Sequence, residues 1–181
     1  MTTSAAPQDI EVLIAVDAVT LSEEVHGSSN IAYPTMLTPA QANKYIVMMA
    51  PRRFMKNPNP DSNLQLIAVT NDDILWRAVS YAPIRNGVLL MAFNYAGGNQ
   101  NVISRPQLVP VYKYTKVQRV EDQPQNLTSE LYTDSRWQAT CKTEGYANYN
   151  FTIATTDPGN EGNTKVLGYY KWDPRIDISF G

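Results

Sequence analysis

Apolar side chains recur at every second position through most of this chain, and this period limits the fold more than any other sequence feature. Successive side chains of a strand point to opposite faces, so a two-residue period indicates extended segments with one buried face. Eight or more such segments follow one another, separated by turn-forming residues and without an amphipathic helix of useful length. The clearest segments are residues 10–16, 64–69, 74–81, 87–95, 108–120, 137–141, 147–153, 167–169 and 176–180.

This succession of segments predicts an all-β fold. We expect a single-domain antiparallel β-sandwich of the jelly-roll or immunoglobulin-like kind, with a closed β-barrel as the alternative. A length of 181 residues suits one domain, and a hydrophobic content of 43% is enough for one core. Because residues 1–9 are small and polar, we expect them to form a flexible N-terminal arm and residues 10–181 to form the domain.

Turn-forming residues predict how neighbouring strands are connected. The Asn-Asp-Asp sequence at 71–73 lies between two apolar segments and predicts a hairpin. The glycine pair Gly97-Gly98 predicts a second hairpin turn, since it lacks the Lys-Ser/Thr sequel of a phosphate-binding loop. Proline and polar residues at 121–129 predict a loop.

Two segments near the N-terminus give less regular signals. Residues 17–30 are rich in turn formers and are expected to form an irregular connection. Residues 39–50 are ambiguous, because Pro39 suits the first turn of a short helix whereas residues 45–49 suit a buried strand. We favour the strand.

Charge and hydropathy exclude several classes of partner. The formal net charge is −2 with both signs scattered, so no basic stripe is present for nucleic acid. No apolar stretch approaches the roughly 18 residues needed to cross a bilayer, and we expect no membrane span. Residues 1–8 contain no Lys or Arg and the apolar run that follows is cut by Asp17, so we expect no signal peptide and a cytoplasmic protein. The low net charge also gives little repulsion between copies.

Residues that could carry chemistry are few. The chain has one histidine, His26, and one cysteine, Cys141, which is too few for a zinc site or for a nucleophile with its base. Oxygens of residues 156–163 could surround a calcium ion, but the spacing differs from known calcium loops and the residues suit a tight turn. We therefore expect no metal, no cofactor and no catalytic residue.

Aromatic residues are the remaining resource for recognition. Eleven Tyr and three Trp provide flat surfaces with polar tips, which both sugar-binding faces and protein interfaces use. Ordinary sandwich packing explains most of this content, because Tyr and Trp are favoured in strands. Trp172 could plug the core or anchor the rim of a surface.

Four stretches of the chain resemble the PixA/AidA family of bacterial inclusion body proteins. Residues 168–176, with the sequence GYYKWDPRI, are similar to the family's closing strand, and residues 10–17 are similar to its opening strand. Ala32-Tyr33-Pro34 resembles an early Tyr-Pro element, and residues 71–77 resemble a central Asp-x-x-x-Trp-Arg hairpin. The signature residues are Asp17, Tyr33, Pro34, Asp73, Trp76, Arg77, Gly168, Tyr169, Trp172, Asp173 and Pro174. We expect them to act in structure or in an interface.

The resemblance implies a cytoplasmic protein of Gram-negative, often host-associated bacteria such as Xenorhabdus, Photorhabdus or Burkholderia. In some members of the family the protein is deposited as crystalline inclusions, and the family has no agreed enzymatic activity. The chain has only six Met, which argues against a methionine-storage role. We therefore expect a non-enzymatic protein whose partner is itself, as a homodimer or a higher assembly. The alternative is a lectin-like module that binds a glycan or small ligand through Tyr and Trp.

Overall fold

The computed structural model describes residues 6–57, 61–83, 85–117, 128–157, 159 and 164–180. The first six strands are β1 (Asp9–Val16), β2 (Thr35–Met36), β3 (Ile46–Met49), β4 (Leu64–Ala68), β5 (Asp73–Ser80) and β6 (Gly87–Gly98). The last five are β7 (Gln107–Val117), β8 (Thr128–Thr140), β9 (Gly145–Asp157), β10 (Lys165–Trp172) and β11 (Arg175–Phe180). Two short helices are α1 (Ala18–Glu24) and α2 (Pro39–Tyr45), and Arg52–Phe54 form one 3₁₀ turn.

The strands form two sheets, and both contribute side chains to one buried cluster. Sheet A has the order β3-β1-β5-β8-β7, and sheet B has the order β2-β10-β9-β11-β4, with β6 also paired to β9. The expected all-β sandwich is therefore confirmed. Each described sheet ends in strands with one neighbour, so the alternative of a closed barrel is wrong.

Most of the described strand pairings are antiparallel, as expected, but three are parallel, so both sheets are mixed. β1 runs parallel to β5 in the middle of sheet A, and in sheet B β10 is parallel to β2 and β11 is parallel to β4. The remaining described pairings are antiparallel. Side chains alternate with the same two-residue period in both kinds of pairing, so alternation alone does not separate them.

The two predicted hairpins are also wrong, because each connection crosses from one sheet to the other. The turn at 71–73 links β4 of sheet B to β5 of sheet A, and Gly97-Gly98 ends β6, which is followed by β7 of sheet A. Both sheets turn their apolar faces to the same interior. A corner between sheets therefore has the same sequence pattern as a hairpin within one sheet.

The chain between β1 and β3 contains two helices that the two-residue period does not show. α1 lies in the segment expected to be irregular, and the Asp17 side chain caps it by accepting a hydrogen bond from the Thr20 amide at 3.1 Å. α2 begins with a capping box between Thr38 and Gln41, with Pro39 at its first turn. In residues 39–50 both readings hold, because the helix ends at Tyr45 and the favoured strand follows as β3.

The other expected loops fall partly or wholly outside the described residues. This applies to most of the loop expected at 121–129, and to residues 158 and 160–163 of the turn expected at 156–163. β9 and β10 flank that turn and pair antiparallel from Asp157–Lys165 onward, which confirms a hairpin connection. Residues 1–5 of the expected N-terminal arm are likewise not described, and β1 begins at Asp9.

Asp72 holds the corner between β4 and β5. Its buried carboxylate accepts hydrogen bonds from the amides of Gln8 at 2.9 Å and Val69 at 2.8 Å. Asn71 beside it has a positive φ of 75°, and the Asp72 carbonyl accepts from the Cys141 amide at 2.8 Å. The carboxylate thus joins the start of β1 to a turn between the two sheets.

Replacing Asp72 is expected to destabilise the fold by leaving two backbone amides without a partner. We expect Asp72→Ala to lower the free energy of unfolding by about 1–3 kcal/mol. The matched control is Asp9→Ala, an exposed aspartate at the start of β1, which should change it by no more than about 0.5 kcal/mol. Urea unfolding followed by tryptophan fluorescence measures both, and equal effects would contradict this role of Asp72.

Candidate functional site

The long ribbon of β7 and β8 is the feature of the fold that extends furthest beyond its neighbours. The two strands pair from Gln107–Gln138 to Val117–Thr128 without a register shift. β8 pairs with the rest of sheet A only from Asp73–Thr140 to Trp76–Trp137. The part of the ribbon beyond Trp137 therefore has no strand neighbour among the described residues, and we call it the arm. A two-stranded ribbon alone is marginally stable in water.

One face of the arm continues the face of sheet A that forms the core. Trp137 lies opposite Trp76 on one side and Leu108 on the other, and Trp76 is fully buried. By the two-residue period, Tyr112 and Leu131 share the face of Leu108 and Trp137. Leu108, Tyr112 and Leu131 are nevertheless 55%, 67% and 56% exposed, because no described element covers them. We call these three side chains the apolar face of the arm.

A cleft of about 280 Å³ lies at the root of the arm, where β8 separates from β5 and faces the edge of β6. Trp137 closes one side by donating a hydrogen bond from Nε1 to the Leu90 carbonyl at 3.1 Å. The signature residue Trp76 lines the cleft, and its buried Nε1 has no hydrogen-bond partner in the described part of the chain. The signature residue Arg77 lies beside it, half-buried.

A buried arginine fixes the arm to the body of sheet A. Arg136 is 5% exposed, and its Nη1 lies 2.5 Å from Glu11 Oε1 on β1, across the intervening strand β5. Asp134 Oδ2 lies 3.8 Å from Arg136 Nε. Because a buried guanidinium is unfavourable without a counter-charge, these contacts hold the direction in which the arm leaves the sheet.

Asp73, the signature residue at the start of β5, connects β5 to β8 at the end of their ladder that lies away from the arm. Its carboxylate accepts from Gln138 Nε2 at 2.8 Å and from Thr140 Oγ1 at 2.6 Å. Asp73, Trp76 and Arg77 thus lie together along one strand and support the root of the arm.

The signature residues near the C-terminus support sheet B instead. Trp172 is buried, stacks on Phe151 with ring centroids 5.1 Å apart, and donates from Nε1 to the Ser62 carbonyl at 3.4 Å. The buried Pro174 offers its carbonyl to the Tyr149 amide at 3.1 Å, whereas Asp173 is exposed. Trp172 is therefore a core residue, and it also borders a cleft of about 330 Å³ with Asp173.

Tyr169 and Gly168 hold the segment that precedes β2 against β10. The backbones of Tyr169 and Ser28 exchange hydrogen bonds of 2.8 and 3.3 Å. Gly168 faces Gly27 so closely that a Cβ added to either residue would lie 2.7 Å from the Cα of the other. Tyr33 is 77% exposed in this region, and Pro34 beside it is half-buried.

The signature residues therefore do not converge on one site. One group supports β5 and the arm, another supports β10, and Asp17 caps α1. Sequence reasoning missed Asp72, Arg136 and Gly27, which carry equally specific contacts. Two of these residues had a sequence signal that could have found them: Asp72 lies in the Asn-Asp-Asp turn, and Arg136 is a charged residue next to Trp137 within a strand. Gly27 had no such signal, because its contact partner Gly168 is distant in sequence.

The residues considered for chemistry lie apart from one another. His26 is exposed and Cys141 is fully buried. Among the described residues no group of three or more His, Cys, Asp or Glu side chains could hold a metal ion. Asn160, Glu161 and Asn163 of the considered calcium loop lie outside that part of the chain. No described helix is both long and apolar enough to cross a membrane.

The close approach of Gly168 to Gly27 gives a direct test of the packing between β10 and the segment before β2. Gly168→Ala is expected to lower the free energy of unfolding by about 1–3 kcal/mol, since the new methyl group would collide with Gly27 Cα. Gly97→Ala is the control, because a Cβ there meets nothing within 4 Å, and it should change stability by no more than about 0.5 kcal/mol. Thermal and urea unfolding of both variants provide the comparison.

Cys141 is expected to be unreactive in the folded protein. Burial, with smaller contributions from Asp72 and Asp73, raises the pKa of the thiol from 9.0 to about 12. Because the folded pKa lies above the unfolded one, the associated stability is complete below pH 9 and is lost as pH rises towards about 12. A thiol reagent at about pH 8 should label Cys141 only on unfolding. Stability should fall less steeply above pH 9 in Cys141→Ala, and rapid native labelling would contradict the assignment.

The fold and the arm define a class of protein: a mixed β-sandwich with an uncovered apolar face on its described residues. The sequence model described as PixA, inclusion body protein, matches residues 8–178. The chain belongs to this family of inclusion body proteins.

A solved structure has the same fold. The crystal structure of the inclusion body protein PixA from Burkholderia cenocepacia J2315 superposes with a TM-score of 0.78 at 16% sequence identity. The match covers 99% of this chain and 100% of that chain. A comparison with curated proteins gave no significant match.

Proposed function

We propose that this chain is a non-enzymatic, self-associating protein that accumulates in cytoplasmic inclusion bodies of a host-associated Gram-negative bacterium. The uncovered apolar face of the arm is the observation that carries the proposal. Leu108, Tyr112 and Leu131 are each more than half exposed, yet they continue the face that is buried in the rest of sheet A. A protein that stays monomeric seldom leaves such a surface open, because contact with another apolar surface releases its water.

Electrostatics and family membership support association with further copies of the same chain. The net charge of −2 gives weak repulsion between copies, and this repulsion is weakest near the isoelectric point of about 5.4. The family to which the chain belongs is described as one of inclusion body proteins, and accumulation in such bodies brings copies of the chain together. A symmetric dimer is the simplest first step, since closed two-fold dimers are the commonest homo-oligomers.

A charge at the centre of the apolar face is expected to oppose association. Tyr112→Lys would place a lysine in the contact, and two-fold symmetry would bring two lysines together, so we expect the dimer dissociation constant to rise at least about tenfold. Tyr33→Lys is the control, because Tyr33 is similarly exposed but lies away from the arm. Sedimentation velocity over a range of concentrations measures both, and fluorescence microscopy of expressing cells reports the inclusions.

Two results would count against self-association through the arm. The wild-type chain could remain a monomer at millimolar concentration, or both lysine variants could associate as well as the wild type. Circular dichroism of the variants confirms that the sheets are intact, so that a loss of association is not a loss of folding.

A second candidate function, binding of a small polar ligand or glycan, is favoured by a separate cleft of about 390 Å³. Its wall includes Tyr95 and Phe93, and its polar groups include Asn94, Gln100 and Arg105. An aromatic wall beside amide and guanidinium donors suits a sugar ring or a carboxylate. Binding on a glycan array that is abolished in Arg105→Ala but kept in Tyr112→Lys would support this function. An array without any signal would argue against it.

A further inference from the structure

The cleft at the root of the arm is lined by residues from both faces of sheet A. By the two-residue period, Trp76 and Trp137 belong to the core face, whereas Arg77 and Asp134 belong to the outer face. Side chains of opposite faces border one cleft where the sheet between them is interrupted. The β5–β8 ladder ends at the pair Trp76–Trp137, and the two strands separate beyond it. The cleft is therefore an opening through sheet A, and we call it the slot.

Hydrogen-bond donors without an acceptor lie around the slot. The Nε1 of Trp76 and the Nε of Arg136 are buried and have no hydrogen-bond partner in the described part of the chain. Arg136 Nε lies 3.8 Å from the carboxylate of Asp134, which lines the slot. The half-buried Arg77 makes no hydrogen bond and no ion pair with another described residue. The uncompensated N–H dipoles and the charge of Arg77 make the slot favourable for a negative group.

The backbone of β5 adds one more donor. Amides at or next to the two ends of β5, those of Asp73 and Tyr81, donate to carbonyls on the β1 side at 2.9 and 3.0 Å. Odd-numbered residues of β5 therefore face β1, and the amide of Ala78 faces β8. Ala78 comes after the last pair of the β5–β8 ladder and lines the slot, so its N–H is directed towards the slot.

The two carboxylates near the slot are already engaged by one arginine. Glu11 lies against Arg136 Nη1, and Asp134 lies near its Nε. Asp134 also accepts a hydrogen bond from the Ser135 amide at 2.8 Å. Arg77 has no carboxylate partner in the part of the chain that the structure describes, so it is the positive charge with which the carboxylate of a ligand can pair.

The remaining wall of the slot is apolar. Residues 88–91 of β6, with the sequence Val-Leu-Leu-Met, form this wall, and Trp137 closes one side. A volume of about 280 Å³ equals that of roughly nine water molecules at about 30 Å³ each, which limits a ligand to about ten heavy atoms. The slot thus combines an apolar wall with a cation and an outward-facing amide.

We propose that the slot binds a small apolar acid, whose carboxylate pairs with Arg77 and accepts from the Ala78 amide while its hydrocarbon part lies against β6 and Trp137. Sites for small ligands combine an apolar lining with a few placed polar groups in this way. The proposal needs only one copy of the chain, so it is independent of self-association. It also concerns a different place from the cleft of about 390 Å³ considered for a glycan.

Three probes separate the two parts of the proposed ligand. Octanoate carries both parts, octanol carries the hydrocarbon chain alone, and acetate carries the carboxylate alone. At about pH 7.5, where carboxylic acids are ionised, we expect octanoate to bind with a dissociation constant below about 1 mM in calorimetric titrations. Octanol and acetate should each bind at least about tenfold more weakly. The proposal is overturned if octanoate shows no saturable binding up to about 10 mM, or if octanol binds equally well.

A substitution at Arg77 tests the pairing of charges. Arg77→Met removes the charge and keeps an unbranched side chain, and we expect it to weaken octanoate binding at least about tenfold. Arg52→Met is the matched control, because Arg52 is exposed in the turn after β3, at the other edge of sheet A. It should change the dissociation constant by less than about twofold. Wild-type affinity in Arg77→Met would overturn the proposal.

The indole N–H signals of the wild-type chain give an answer that requires no variant to fold. Octanoate should shift the NMR signals of Trp76 and Trp137, which line the slot. The signal of the third tryptophan, Trp172, should stay in place because it lies on β10 in sheet B. Octanoate that leaves all three signals unchanged, or that shifts Trp172 as much as the other two, would contradict binding in the slot.

Discussion

Aromatic contacts between the two sheets are the interaction on which the rest of the structure depends. Trp76 of sheet A meets Phe93 of sheet B edge to face, with ring centroids 4.8 Å apart, and Phe93 stacks on Phe151 at 4.1 Å. Phe151 in turn stacks on Trp172. Each ring buries a large apolar area, so this row sets the separation of the sheets and the direction of the strands that carry it. The arm begins where the row ends, at Trp137, which lies 6.3 Å from Phe93.

The uncovered face of the arm follows from that arrangement. Sheet B covers the core face of sheet A as far as Trp137, and beyond it β7 and β8 continue with the same alternation but without a cover. Arg136 is held to Glu11, and Asp73 is held to Gln138 and Thr140, so the arm is fixed at its root. In the proposed self-association, a ribbon whose root is held in this way loses less conformational freedom on contact than a free ribbon would.

Sequence reasoning located most strands because the period of apolar side chains reports which residues face the interior. It also recognised the family, which a match over residues 8–178 confirms. It failed where a pattern is shared by two structures. The turn at 71–73 has the composition of a hairpin, yet it joins two sheets, and α1 was hidden in a segment rich in turn formers. The close contact of Gly27 with Gly168 had no local signal at all.

The sequence by itself determined that this chain forms strands around one apolar core, because side-chain alternation is a local property of the extended backbone. It also determined the family, through short motifs spread from residue 10 to residue 176. Only the tertiary structure decided that β1 and β5 are parallel, that consecutive strands belong to different sheets, and that the arm leaves Tyr112 uncovered. These features depend on which strands become neighbours in space, and pairing between distant segments leaves no periodic trace in a single sequence.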